Sequence, residues 1–401
     1  MDHPADQTPT VHSEPENAET PVSPIRVVLF THSLEAGGAE VQLCALANGL
    51  GASVFDVTIV TFRPGGALAA DVQRAGLRWL TLDKNGRWDV IGPVYRLIRT
   101  VRRLNPDILH AYLGPPNVLA ALLKPFFGPA RIVWGVRASF IDHRVYDWSW
   151  RLTWFLQRVL SRLPSAIVAN SHAGRDHLID SHFAGDRVSV IENGIDTERF
   201  APNPAAGRDR RAEWGIAADA PVFGIVARLD PMKDHASFLE AAALLVRHRP
   251  DARFVCVGTG PLDRLNELKA LAGSLGLDRH VIWTGLQRDM PAVYNAMDMV
   301  AMCSRFGEGF PNAVGEAMAC GTVCAVNDIG DAAMIVGDTG FVFDVGDAAA
   351  LAGIWADWLA APDERRQARR AAARTQISKA FALTRMIERT AALYASLAGR
   401  G

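Results

Sequence analysis

From Ile25 onward, short apolar runs rich in Val and Ile alternate with longer stretches in which apolar residues recur at helical spacing. The short runs predict strands at 26–31, 55–62, 107–111, 131–136, 166–169 and 188–191. Between them the spacing predicts amphipathic helices, among them 39–50 and 90–104. The strands are apolar at nearly every position rather than every second one. That pattern suits strands covered by helices on both sheet faces, which is the signature of a parallel, doubly wound α/β sheet.

The alternation pauses at 200–219, a stretch rich in Pro, Ala and Arg. It restarts with strand-like runs at 222–227, 253–257, 280–284, 299–302 and 323–326. Two Rossmann-like domains are therefore expected, 25–200 and 201–382, facing each other across a cleft. Two helices, 363–380 and 383–397, close the chain with no strand after them. The last of these, about 383–401, is expected to pack back on the first domain.

Composition changes this picture only at the front end. The chain has 401 residues and a net charge of −1, which gives no sign of a nucleic-acid partner. Residues 1–24 carry five acids, five prolines and no Lys or Arg, which leaves 42 bases against 38 acids in the body. This opening segment reads as a disordered acidic tail without a signal-peptide stretch. No apolar run approaches the ~20 residues of a membrane span. Five cysteines (Cys44, Cys256, Cys303, Cys320 and Cys324) are scattered through apolar segments, as expected for buried, reduced thiols in a cytoplasmic protein.

Candidate chemistry concentrates in 304–321, Ser-Arg-Phe-Gly-Glu-Gly-Phe-Pro-Asn-Ala-Val-Gly-Glu-Ala-Met-Ala-Cys-Gly. It leaves a buried strand and enters a helix starting near Pro311, where a missing N–H costs nothing. Gly307 and Gly309 permit close approach of a ligand to backbone. The helix terminus offers N–H groups to a phosphate. Glu308 and Glu316 can accept hydrogen bonds from sugar hydroxyls. An isolated Glu pair at this spacing would be a solvated loop and helix; its Gly, Pro and Asn neighbours favour a nucleotide-sugar site. Arg228 and Lys233 follow the strand at 222–227, at the carboxyl edge where such sheets bind ligands. Two cations there would neutralise a diphosphate, although read alone they are equally two surface bases. In the first half, Gly37 and Gly38 sit where a loop enters a helix, without the dinucleotide spacing G-x-G-x-x-G.

Together these motifs resemble retaining glycosyltransferases of family 4, over roughly residues 25–345. The order matches as well: Gly-Gly-Ala-Glu at 37–40, Asn-Gly-Ile-Asp at 193–196, Arg228 with Lys233, then the Glu pair. The resemblance implies the GT-B architecture and transfer of a hexose from a nucleotide-diphosphate sugar to an acceptor hydroxyl with retention. It further implies that Arg228 and Lys233 bind the donor diphosphate, Glu308 the hexose and Glu316 the ribose. The backbone of Gly309, Phe310, Pro311 and Asn312 would lie along sugar and phosphates. No cofactor or metal is implied beyond the donor itself, in keeping with the lack of an Asp-x-Asp motif. One departure is clear. Many relatives have a His after the strand equivalent to 131–136, and this chain has Arg137, with His110 at the end of the preceding strand also aimed at the cleft.

Relatives that build surface polysaccharide or glycolipid often use a glycan or polyprenyl-diphosphate-linked acceptor, which would place the enzyme on the inner face of a membrane. In 148–163, helical geometry predicts a core-facing stripe of Trp148, Leu152, Phe155, Leu156, Val159, Leu160 and Leu163. Trp150 and Trp154 then face outward with Arg151 and Arg158, a combination suited to lipid headgroups or, equally, to packing under a loop. Two other readings stay open: a nucleotide-sugar epimerase or hydrolase on the same scaffold, and a non-catalytic sugar-binding relative.

Overall fold

The computed structural model describes residues 23–35, 37–86, 88–137 and 148–399. Nearly all of the expected acidic tail lies outside this range. Seven parallel strands make the first sheet: β1 Ile25–Thr31, β2 Phe55–Thr61, β3 Arg78–Thr81, β4 Ile108–Tyr112, β5 Arg131–Val136, β6 Ala166–Ala169 and β7 Val188–Val190. Six make the second: β8 Val222–Val226, β9 Arg253–Val257, β10 Val281–Gly285, β11 Met299–Met302, β12 Val323–Asn327 and β13 Phe341–Phe343. Their orders are β3-β2-β1-β4-β5-β6-β7 and β10-β9-β8-β11-β12-β13. Each is doubly wound, with strand order reversing between β1 and β4 and again between β8 and β11. Two strands escaped the sequence reading, β3 and β13. Both are short edge strands, and neither presents a buried run.

Alternation along each strand explains why the runs read as continuously apolar. On β1, Val28 and Phe30 enter one core with Leu97, Val101, Ala120 and Trp154. Val27 and Leu29 enter the other with Leu43, Leu46, Met386 and Tyr394. From Val27 to Phe30 every side chain is buried, so none need be polar. The second sheet repeats this, with Phe238 and Trp355 on one face and Val314, Met318 and Ile377 on the other.

The chain returns to the first sheet at its end. Helix Asp363–Ala380 packs on helix Asn312–Ala319 beside the second sheet. Ile195 then exchanges backbone hydrogen bonds with Phe381 and Leu383, each at 2.8 Å. Helix Leu383–Leu397 crosses to lie against helix Gly38–Gly49, whose Gly49 leaves room for Ile387. All five cysteines are unpaired, and four are buried. No helix among the described residues is long and apolar enough to cross a membrane.

Helix Trp148–Leu160 buries a different apolar face from the one expected from its sequence, although Leu160 packs on the core and Arg151 and Arg158 are exposed as expected. Trp154 is 9% exposed and stacks between Trp150 and His177, with ring centroids 5.7 and 5.4 Å away. Trp150 packs partly buried against the same core. Leu152, Phe155 and Val159 are instead 47%, 50% and 58% exposed. The physical reason lies in two polar residues that find partners inside. Gln157 accepts from Asn117 Nδ2 at 3.2 Å, and Ser161 Oγ accepts from the Ala184 N–H at 3.0 Å. With those groups satisfied, the Trp face can turn inward.

Candidate active site

β8 and β11 are neighbours whose chains leave toward opposite sides of the sheet, so a crevice opens beyond their carboxyl ends. The loop after β8 is shaped by two aspartates. Asp230 accepts from the Met232 N–H at 2.9 Å and holds a short turn, Pro231–Lys233. Asp234, at φ 46°, starts helix His235–Val246 and accepts from Ser237 Oγ at 2.7 Å. Arg305, beyond β11, donates its N–H to Met232 O at 2.8 Å, and its guanidinium meets Asp234 at 3.1 Å. This lacing brings Lys233 Nζ onto Glu308 Oε1, which also accepts from Ser304 Oγ at 2.5 Å. The ion pair is largely buried, so removing either partner leaves an uncompensated charge. Arg228 is different: its side chain is 73% exposed and touches Asp230 only at 3.7 Å.

Eight residues past Glu308, Glu316 lies on helix Asn312–Ala319 and accepts from Tyr294 Oη at 2.8 Å. Burial pushes its carboxyl up to about 7, opposed by the Tyr294 hydrogen bond and by the charge of Arg199. Pro311 occupies the N-cap position of that helix, just ahead of its first turn. Phe310 turns inward against Phe381 (centroids 5.3 Å apart), so it offers the crevice only backbone.

The first half closes over these groups. Gly37 caps helix Gly38–Gly49, and Gly38 O accepts from Asn312 Nδ2 at 3.3 Å. Asn312 Oδ1 accepts from Asn193 Nδ2 at 2.7 Å, and Asn193 Oδ1 accepts from Arg137 Nη1 at 2.6 Å. One relay thus joins Arg137, Asn193, Asn312 and Gly38, and two helix N-termini converge on the same gap. The Arg137 guanidinium lies over the Tyr112 ring, 4.9 Å from its centroid. A Cβ at Gly309 would fall 2.6 Å from Asn170 Oδ1, so only glycine allows this approach between halves. Asp331, in the loop after β12, reaches across and accepts from the His172 and Ala173 N–H groups at 2.7 and 2.9 Å.

His110 does not face the cleft, which corrects the expectation from sequence. β4 runs on to Tyr112, and alternation turns His110 into the core with Tyr112 and Ile108. It is 1% exposed, with Nδ1 2.6 Å from Tyr394 Oη on the final helix. Burial, aided by the charge of Arg137, holds its pKa well below the ordinary histidine value. Of the remaining expected residues, Lys233 meets Glu308, and Arg137, Asn312 and Gly38 share one relay, whereas Arg228 is exposed beside Asp230, Glu316 is bonded to Tyr294 and Phe310 offers only backbone. Sequence reasoning gave no role to Asn193, Asn170, Tyr294 or Asp331. Asn193 stood in a recognised motif, whereas no local signal marked the other three.

Residues 36–199 match the family described as Glycosyltransferase Family 4, and residues 208–375 match Glycosyl transferases group 1. The chain is 36% identical over 309 residues to the GDP-mannose-dependent alpha-(1-6)-phosphatidylinositol monomannoside mannosyltransferase of Mycolicibacterium smegmatis, covering 73% of this chain and 77% of that enzyme. The chain belongs to the family 4 glycosyltransferases. This glycosyltransferase is also 26% identical over 244 residues to the UDP-Gal:alpha-D-GlcNAc-diphosphoundecaprenol alpha-1,3-galactosyltransferase of Escherichia coli, a match spanning 58% of this chain and 60% of that one. Its fold superposes on that of Anabaena Alr3699/HepE in complex with UDP-glucose, with a TM-score of 0.82 at 23% identity over 93% of this chain and 100% of the other. At that identity the likeness establishes the GT-B fold. As a family 4 member the enzyme is a retaining glycosyltransferase that draws on a nucleotide sugar.

Proposed function

We propose that this glycosyltransferase moves a hexose from a UDP-sugar to a hydroxyl on a polyprenyl-diphosphate-linked glycan. The observation that carries the donor half is the Lys233–Glu308 pair at the β8/β11 switch point, facing the Gly37–Gly38 turn through Asn312. In this reading Lys233 and the exposed Arg228 neutralise the diphosphate, helped by the N-termini of helices Gly38–Gly49 and Asn312–Ala319. Glu308 accepts from hexose hydroxyls and Glu316 from the ribose diol. The backbone from Gly309 to Asn312 runs along sugar and phosphates. The exposed loop at 285–288, beside Gly258, is the candidate base contact.

Transfer then breaks the bond between the anomeric carbon and the leaving phosphate oxygen as positive charge builds on the sugar. The acceptor oxygen bonds to the same face of that carbon, and its proton passes to the leaving phosphate. Arg137 stands on the relay to Asn193 and Asn312, where it can hold a phosphate of donor or acceptor. A diphosphate-linked acceptor supplies such an anion, and the Escherichia coli relative carries a diphosphoundecaprenol acceptor in its name.

The test is to incubate purified enzyme with UDP- and GDP-hexoses, with and without polyprenyl-diphosphate glycans, and to identify products by mass. Sugar transfer from a UDP-hexose that requires the lipid diphosphate is expected. Donor consumption at the same rate without acceptor would favour an epimerase or hydrolase instead. Transfer only to acceptors lacking diphosphate would refute the acceptor assignment.

A further inference from the structure

The outward face of helix Trp148–Leu160 leaves Leu152, Phe155 and Val159 about half exposed and has an unusual composition. Trp148, Leu152, Phe155 and Val159 fall within one narrow stripe at helical spacing, and Leu163 extends it just past the helix. Trp148 is 66% and Leu163 42% exposed, with the other three near half. Along one edge of this stripe run Arg151, Arg158 and Arg162, all exposed. Residues 148–164 contain no Asp or Glu.

The stripe does not end at the helix. Lys124 donates to Leu163 O at 3.2 Å, bringing exposed Leu122 and Phe126 alongside. Arg102, exposed on the next helix, donates to Phe126 O at 2.9 Å. Apolar surface is thus bordered by basic groups on both sides. Asp180 is the acidic side chain in the hollow with Arg151, Phe155 and Arg158. Position matters too. Thr153 meets Gly114, just beyond the carboxyl end of β4, and Arg137 at the end of β5 lies on the same edge. The Trp148 end of the stripe therefore sits at the rim of the cleft.

We infer that this face docks the enzyme on an anionic lipid bilayer, with Leu152, Phe155 and Val159 entering the headgroup boundary and Arg151, Arg158 and Arg162 pairing with lipid phosphates. An apolar stripe alone would suit any hydrophobic partner. The arginine row beside it selects a negatively charged surface, and the geometry is that of a helix lying in the membrane plane. Docked this way, the cleft rim faces the lipid from which a polyprenyl-linked acceptor would come. In that respect the inference rests on the acceptor proposed above.

The experiment is flotation of the whole protein with phosphatidylcholine vesicles, with and without phosphatidylglycerol. Three forms are compared: wild type, Phe155→Ser/Val159→Ser and Arg151→Gln/Arg158→Gln/Arg162→Gln. Wild type should float with the anionic vesicles only. The arginine variant should bind on the order of a hundred-fold more weakly, at about five-fold per charge, and high salt should act in the same direction. The apolar variant should lose at least about ten-fold at any salt. Both variants should keep the wild-type unfolding midpoint and the wild-type rate on a detergent-dispersed acceptor. No flotation of wild type, or equal flotation of all three forms, overturns the inference. A concentration-dependent dimer that the apolar variant abolishes, without flotation, would make the face a self-interface. If flotation fails while transfer to the dispersed lipid acceptor persists, docking is wrong and the proposed function stands. Flotation without transfer to any lipid-linked acceptor is the converse.

Discussion

Asp331 is the contact whose removal should most cleanly separate the two halves without unfolding either. Its carboxylate is 5% exposed and accepts two backbone N–H groups from the first turn of helix His172–Asp180, at 2.7 and 2.9 Å. Hydrogen bonds to a charged group contribute about 1.5–3 kcal/mol each. Water replaces much of that when the halves part, so a net loss of about 2 kcal/mol for Asp331→Ala is reasonable. Such a loss lowers the closed-to-open ratio about thirty-fold. A closed population of about nine-tenths would then fall to about a quarter, and donor affinity would drop about four-fold. Ser171 still caps the helix through Gly174 N–H at 3.0 Å, so the unfolding midpoint should scarcely move. Asp331→Asn keeps one acceptor and should fall between the two. Donor titration calorimetry and the radius of gyration from small-angle scattering measure both consequences. An Asp331→Ala enzyme with wild-type affinity and radius would refute the clasp.

Three further outcomes follow from the same site. Glu316, raised from an ordinary 4.5 to about 7, binds more protons folded than unfolded between those values. Its contribution to stability is full below about pH 4.5 and is lost as pH rises to about 7, by about 1–3 kcal/mol. Urea unfolding at pH 5 and 8 should show that slope in wild type and a flatter one in Glu316→Gln. Gly309→Ala places a methyl 2.6 Å from Asn170 Oδ1, so the halves must separate and donor KM should rise several-fold. An unchanged KM in initial-rate assays would show that Asn170 simply yields. Arg137→Ala breaks the relay to Asn193, and kcat/KM for a diphosphate-linked acceptor should fall about ten-fold or more. That loss should exceed any loss in binding free nucleotide diphosphate, as measured by calorimetry.

Much of the fold was legible because a doubly wound sheet writes itself into the chain as repeated apolar runs. β5, β6, β9 and β11 match their expected bounds for that reason. β3 was not legible, because Arg78 is exposed and the rest of that edge strand is only half-buried. Helix Trp148–Leu160 was legible as a helix but not in its orientation. Its two sides are both apolar, and the choice turned on Asn117 and Ala184 satisfying Gln157 and Ser161. Neither partner can be guessed from spacing. His110 misled for a similar reason: Tyr394, 284 residues later, holds it in the core. The motifs proposed to hold the donor were readable as local features because each starts at a single strand-to-helix turn. The contacts that join the halves were not, since Asp331, Asn170 and Asn193 acquire meaning only when two sheets meet.

The central claim is that Lys233 and Glu308 form the donor site for the transferred sugar, and single-turnover transfer by Glu308→Gln tests it most directly. The variant keeps the size of the side chain and the Ser304 contact but removes the charge facing Lys233. Nucleotide diphosphate binding should stay within several-fold of wild type, because the proposed phosphate contacts are Arg228, Lys233 and the helix termini rather than Glu308. Hexose transfer should fall on the order of a hundred-fold or more, as when one preorganised charge is removed from a transition state. Wild-type transfer rates in Glu308→Gln would contradict the account.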